Sequence, residues 1–291
     1  MRFGLIVEYD GTNFHGSQLQ SNARTVQGEI ESALLQIFSE KIRVHFASRT
    51  DSGVHARGQV GRFDAETDMP PDQIRKALNF HMTTDVRIRC AQLVEDGPDG
   101  FDPRGDASAR TYVYTFNDAP SEPALDRHYV THVRKPLDEI AMNDASQALV
   151  GLHDFASFAG PKAPHDALTM RNVETASTTR IGDSIEFKIT ANAFLHQQIR
   201  RIAGVLCDVG TGGSPVAVVG DLLATAERGA ASHVMPAQGL CLEKIAYTEG
   251  TGECGLPVKS SAPTPANIVD TGVNWNVENP ELITKQTWLP S

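Results

Sequence analysis

Apolar residues recur along this chain with two alternating periods, and that alternation limits the fold more than any other feature. Arg2–Tyr9 reads as a strand. Thr25 is an N-cap residue in front of Val26, Ile30, Ala33, Leu34, Ile37 and Phe38, whose spacing forms one face of a helix. Strands are expected at 42–47 and 58–64, then a helix opened by Pro70-Pro71-Asp72 with Ile74, Ala77 and Leu78 inward, then a strand at 87–94. Glu95-Asp96-Gly97-Pro98-Asp99-Gly100 is turn-rich and marks a boundary. The second half repeats the rhythm: a strand at 110–117, a helix at 137–150 stopped by Gly151, and strands at 173–180 and 184–190. A helix capped by Asn192 and ending at Gly210, a short helix at 216–228 and a strand at 241–247 follow.

This pattern predicts an α+β protein of two similar α/β subdomains with antiparallel sheets, a ferredoxin- or RRM-like duplication whose halves meet at a central cleft. The expected divisions are 1–100, 101–247 and an irregular tail at 248–291, rich in Gly, Pro, Ser, Thr and Asn and without a period. A length of 291 residues fits two packed units. No apolar run is long enough to span a bilayer, and Glu8 and Asp10 follow the first apolar stretch too closely for a signal peptide. Cys90, Cys207, Cys241 and Cys254 are scattered without CxxC spacing. That argues against a zinc site and a disulfide framework, and points to the cytoplasm. The net charge of −10 speaks against nucleic acid at first sight, although binding depends on the local patch and not on the total.

The densest chemistry lies in Ala47-Ser48-Arg49-Thr50-Asp51-Ser52-Gly53-Val54-His55-Ala56, a loop between two strands. Asp-Ser-Gly is ordinary turn chemistry. The same ten residues also hold an arginine, a carboxylate able to act as nucleophile and a histidine. Other residues have two readings as well. Arg110, Tyr112, Tyr114 and Phe116 share one strand face, which is usually core. His196 and Arg200, four apart on the expected helix, form either a solvated face or part of a site. Asp51 and His55 with a third histidine do not have the spacing of a metal site. No GxGxxG or P-loop fingerprint occurs, so neither a metal nor a nucleotide cofactor is expected.

The loop resembles the catalytic motif of the tRNA pseudouridine synthase A family, Gly-Arg-Thr-Asp-x-Gly-Val-His-Ala. The resemblance runs from about Met1 to Tyr247. It includes Glu8-Tyr9-Asp10-Gly11-Thr12, Val26-Gln27-Gly28, Phe101-Asp102-Pro103-Arg104 and Ala109-Arg110-Thr111-Tyr112. Gly151-Leu152-His153-Asp154-Phe155, Asn192-Ala193-Phe194-Leu195-His196 and Gln238-Gly239-Leu240-Cys241-Leu242 continue it. Two positions depart: Ser48 stands where the family usually has glycine, and Ser17 where it usually has tryptophan.

The resemblance implies a cofactor-free isomerase that converts uridine to pseudouridine in the anticodon stem-loop of tRNA, at positions thirty-eight to forty. It implies Asp51 as the essential carboxylate, Arg200 as its ion-pair partner, and Tyr112 as a residue that stacks on the uracil or accepts its proton. Arg49, His55, Arg57, Arg110 and Leu242 become substrate-binding residues by the same argument. A homodimer whose subunits share one tRNA would gather Arg24, Arg57, Arg62, Arg104, Arg110, Arg171 and Arg201 into one cleft. The alternatives are a non-catalytic tRNA-binding or RNA-chaperone module on the same fold, and a metal-dependent hydrolase.

Overall fold

The computed structural model describes residues 1–160, 168–248 and 252–257. One mixed sheet organises them, with strand order β4-β1-β3-β10-β5-β9-β8-β7 and two short strands, β2 and β6, at its side. The first half supplies β1 (Arg2–Tyr9), β2 (His45–Phe46), β3 (His55–Asp64) and β4 (Val86–Leu93), with helices α1 (Val26–Phe38) and α2 (Pro71–His81). The second supplies β5 (Ala107–Asn117), β6 (Thr131–His132), β7 (Gly151–Asp154), β8 (Met170–Ile181), β9 (Ser184–Ala191) and β10 (Leu240–Tyr247). Its helices are α3 (Glu139–Gln147), α4 (Gln198–Gly210) and α5 (Val218–Thr225).

The α+β class is as expected, but the two halves do not carry separate antiparallel sheets. β10 pairs parallel with β3 through Cys241–His55 and Leu242–Ala56, and antiparallel with β5. A strand from the end of the chain therefore joins both halves into one sheet. Gly58 permits the approach: a Cβ there would stand 2.4 Å from the Glu243 carbonyl oxygen.

Local chemistry explains most elements. Thr25 Oγ1 accepts from Gly28 N at the start of α1, and Val26, Ile30, Ala33 and Leu34 are buried. In β1, Phe3, Leu5, Val7 and Tyr9 alternate into the core. Pro71 opens α2, where a missing N–H costs nothing, and Ile74 and Leu78 are fully buried. A Phe3–Phe63 stack at 5.1 Å ties β1 to β3 inside this core.

Three boundaries differ from expectation. The segment expected as a strand at 42–47 keeps only His45–Phe46 in the sheet. The helix expected at 137–150 is Glu139–Gln147, because Asp138 caps it by accepting from Ile140 N and Ala141 N. Gly151 does have φ +111, yet it begins β7 and does not cap that helix. Most consequential, α4 starts at Gln198 and not after Asn192. The Asn192 side chain instead accepts from Asn172 N, and Gln197 turns the chain with φ 60. Residues 192–197 are thus a loop that faces the site.

The cysteine expectation is also corrected. Cys90 on β4 and Cys254 form a disulfide across 164 residues, with Cα atoms 5.7 Å apart. Local spacing rules miss such a pair, since the fold and not the sequence brings it together. The segment around Cys254 docks on β4: Cys254 N donates to Gln92 Oε1, Gln92 Nε2 donates to the Leu256 carbonyl, and Leu256 is buried. Trp275 and Trp288, expected to pack on the body if the tail is ordered, lie outside the described residues.

Candidate active site

Asp51 sits in the loop between β2 and β3, and the loop is held from both sides. Ser17 N donates to the Thr50 carbonyl at 3.2 Å, and Thr50 N donates to Ser17 Oγ at 2.9 Å. Gly53 N donates to the Phe14 carbonyl, and Val54 N to the Asp51 carbonyl. Gly16, with φ +92, lets the opening segment lie on the loop, since a Cβ there would meet the Thr50 carbonyl oxygen at 2.7 Å. Below the loop, Tyr9 Oη and Thr50 Oγ1 share a buried hydrogen bond of 2.8 Å. The carboxylate thus stands on a fixed backbone.

The second half delivers the partners of Asp51. Arg200 Nη1, from α4, donates to Asp51 Oδ2 at 3.3 Å, while Arg200 Nε donates to the Met235 carbonyl. His196 Nε2, from the loop before α4, lies 3.5 Å from Asp51 Oδ1. Each carboxylate oxygen therefore faces a different nitrogen. Two of the groups are anchored: Arg200 by Met235 and Asp51 by its loop. A held ion pair of this kind fixes orientation better than a free surface pair.

Tyr112 comes from β5, between β10 and β9. Its ring is buried and meets Phe194 edge-on at 5.4 Å. Its hydroxyl pairs with Ser48 Oγ at 2.9 Å. Burial pushes the phenol up to about 12, against the opposing effect of the Ser48 hydrogen bond, so it is neutral at neutral pH.

These groups line a cleft of about 1320 Å³. Its walls carry Arg43, Arg49, Arg104, Arg110, Arg171 and Arg200 against two carboxylates, Asp51 and Asp102. The cleft is basic although the chain is acidic, which removes the objection raised by the net charge. Arg110 donates to the carbonyls of Ala107, Asn192 and Arg104 and, among the described residues, to no carboxylate that would neutralise its charge. Arg49 is exposed and has no hydrogen-bond or ion-pair partner among the described residues. No group of three or more His, Cys, Asp or Glu side chains that could hold a metal occurs among the described residues.

A family model described as tRNA pseudouridine synthase matches residues 5–96 and 145–248. The tRNA pseudouridine synthase A of Caulobacter sp. (strain K31) is 38% identical over 252 residues, covering 86% of this chain and 99% of that protein. That of Halalkalibacterium halodurans is 40% identical over 250 residues, covering 86% and 94%. The chain belongs to the tRNA pseudouridine synthase A family. This synthase is an isomerase by that membership. The protein of that name from Legionella pneumophila (strain Corby) is 37% identical, covering 87% of this chain and 95% of that one. A solved structure titled "Crystal Structure of a Cbf5-Nop10-Gar1 Complex" matches at 11% identity and a TM-score of 0.29, covering 71% and 54%. That likeness is too weak to bear on the fold.

Of the residues singled out from the sequence, Asp51, Tyr112, Arg200, Arg49 and Arg110 line one cleft of the synthase. Three do not. His55 is buried: Gly11 N donates to its Nδ1 at 2.9 Å, leaving Nε2–H to donate to the His128 carbonyl. Arg57 projects outward and pairs with Glu243 on β10. Leu242 is fully buried beside Tyr112 in the β10–β5 ladder, and Leu240 meets the cleft instead. The wider arginine set also divides, because Arg24 binds Asp85 and Glu29, Arg62 binds Asp64, and Arg201 is buried against the Ala231 carbonyl. The Ser48–Tyr112 bond joins residues 64 positions apart. Its one sequence signal is the serine in a position where the resemblance expects glycine.

Proposed function

We propose that this synthase isomerises uridine to pseudouridine in the anticodon stem-loop of tRNA, at positions thirty-eight to forty, with Asp51 as the catalytic carboxylate. The observation that carries the reading is the Asp51–Arg200 ion pair at the floor of an arginine-lined cleft. The two halves, 1–100 and 101–247, act as the two sides of this site. The first brings Asp51 and the second brings Arg200, His196 and Tyr112.

The reaction breaks the N1–C1′ bond, turns the uracil and rejoins it through C5, with loss of the C5 proton. It needs no redox change and no donor group. Two routes are open to Asp51, attack on C1′ and assistance of elimination to a glycal. Both need the charged carboxylate, and Arg200 and His196 orient its two oxygens. Tyr112, which meets Phe194 at the cleft wall, would stack on the uracil and receive the proton from C5. The target nucleotide must first leave the stack, at a cost of a few kcal/mol. Arg49 is free to fill the gap or to hold the flipped nucleotide's phosphate. Arg104, Arg110 and Arg171 give the cleft its attraction for the backbone.

The reading extends to a homodimer whose subunits contact one tRNA, tested by light scattering of the free protein and of its tRNA complex. It also places the synthase in the cytoplasm with its substrate. A reducing compartment opposes the Cys90–Cys254 bond, so the oxidised fraction of that pair in cells tests the placement. The activity itself is tested by tritium release from 5-tritiated uridine in intact tRNA. Release without chain cleavage supports the synthase. Binding without release would favour the non-catalytic tRNA module, and cleavage the hydrolase.

A further inference from the structure

Tyr112 presents a difficulty as an acceptor of the C5 proton. Its phenol is neutral at neutral pH, because burial outweighs the groups that favour ionisation. Arg110 favours the phenolate, while Asp51 and Cys241 oppose it, and Tyr9 stands close enough to couple to it. A neutral phenol can take up a proton only by releasing its own at the same time. The phenol therefore needs a neighbour that accepts.

Ser48 is such a neighbour. Its Oγ lies 2.9 Å from Tyr112 Oη, within ordinary hydroxyl hydrogen-bond range. It is the phenol's only side-chain hydrogen-bond partner among the described residues. Gln59 fixes the backbone that carries the serine: Ser48 N donates to Gln59 Oε1 at 3.2 Å, and Gln59 Nε2 donates to the Ser48 carbonyl at 2.7 Å. Gln59 is itself fully buried. Ser48 is half-buried and lines the cleft, and its hydroxyl meets the phenol there.

We propose that Ser48 is a positioning residue that relays the proton of Tyr112 to cleft water while Tyr112 takes the proton from C5 of the rejoined uracil. The inference rests on the synthase reading above. The step balances without a co-reactant. The C5–H electron pair restores the C5–C6 double bond, and the C6–N1 double-bond pair moves onto N1, which takes up a proton from water. The C5 proton binds Tyr112 Oη, the original phenolic proton passes to Ser48 Oγ, and the original serine proton leaves to water.

The test uses full-length protein and tRNA transcripts carrying either 5-protio or 5-deutero uridine, in single turnover. Ser48→Ala keeps the Cβ and removes the hydroxyl, and Ser48→Thr keeps the hydroxyl. With tRNA binding unchanged within about twofold, Ser48→Ala is expected to slow pseudouridine formation about tenfold or more, and to enlarge the C5 deuterium effect because deprotonation becomes slower. Ser48→Thr is expected to recover the rate to within about threefold of wild type. A Ser48→Ala rate within about twofold of wild type overturns the relay. So does a slower rate with no larger deuterium effect. Wild-type protein that forms no pseudouridine overturns the synthase reading along with the relay, whereas failure confined to the variants overturns the relay alone.

Discussion

Arg200 Nη1 meets Asp51 Oδ2 at 3.3 Å, across 149 positions of chain, and this pair joins the two halves of the molecule at the site. Arg200 stays in place because its Nε also donates to the Met235 carbonyl. Replacement by alanine would leave Asp51 with His196 alone. Arg200→Ala is expected to lower single-turnover rate by about a hundredfold or more, with a smaller loss for Arg200→Lys, which keeps charge but not the two-point grip. Rates of both variants at saturating tRNA check this. Equal losses would mean that charge alone recovers nothing and that the two-point geometry carries the whole effect.

Arg49 contrasts with Arg200, since it is exposed at the cleft and has no partner among the described residues. Both Arg49→Ala and Arg49→Lys are expected to reduce turnover, with lysine restoring binding more than rate, because only guanidinium offers a planar stacking surface. Affinity measured at two salt concentrations should show a shallower dependence for Arg49→Ala, by about one counterion. A full rate with lysine would remove the stacking role.

His55 gives a pH dependence to folding. Burial lowers its pKa below the ordinary 6.5, outweighing the nearby Asp10, and the Gly11 N–H directed at Nδ1 opposes protonation there. Below the unfolded value the unfolded chain binds the proton more readily than the folded one. The stability linked to His55 is therefore complete above pH 6.5 and is lost as pH falls through the lower folded value. Urea unfolding of wild type and His55→Gln between pH 7.5 and about 5 should show the steeper fall in wild type. Parallel curves would contradict the assignment.

The Cys90–Cys254 bond and the buried Leu256 predict that the segment after β10 is part of the fold. Cys254→Ser is expected to cost about 2–5 kcal/mol under oxidising conditions, and nothing further when a reductant is present. Deletion from Thr251 onward should lower the Tm further than Cys254→Ser, through loss of Leu256 from the core, while the folded fraction retains turnover. A folded truncation without turnover would mean that the segment reaches the site.

The elements were legible where local chemistry decides them, as in Thr25 capping α1 and the alternating Phe3, Leu5, Val7 and Tyr9 of β1. Asp51, Tyr112 and Arg200 were legible through motif resemblance, and the structure brings all three to one cleft. What escaped was decided by distant partners. The β3–β10 pairing, the Cys90–Cys254 bond and the Ser48–Tyr112 contact each join positions far apart in sequence. The start of α4 escaped because Asn192, a good capping residue, spends its side chain on Asn172 instead. His55 and Leu242 sit in or beside the right motifs, but motif position does not tell which side of a strand faces the cleft.

The central claim is that the Asp51 carboxylate performs the isomerisation, and tritium release from 5-tritiated uridine in tRNA tests it most directly. Wild type should release tritium and form pseudouridine in an unbroken chain. Asp51→Asn keeps size and hydrogen bonding but not charge, and it should bind tRNA about as well while losing about a thousandfold or more in rate. Release by Asp51→Asn within about tenfold of wild type would contradict the account.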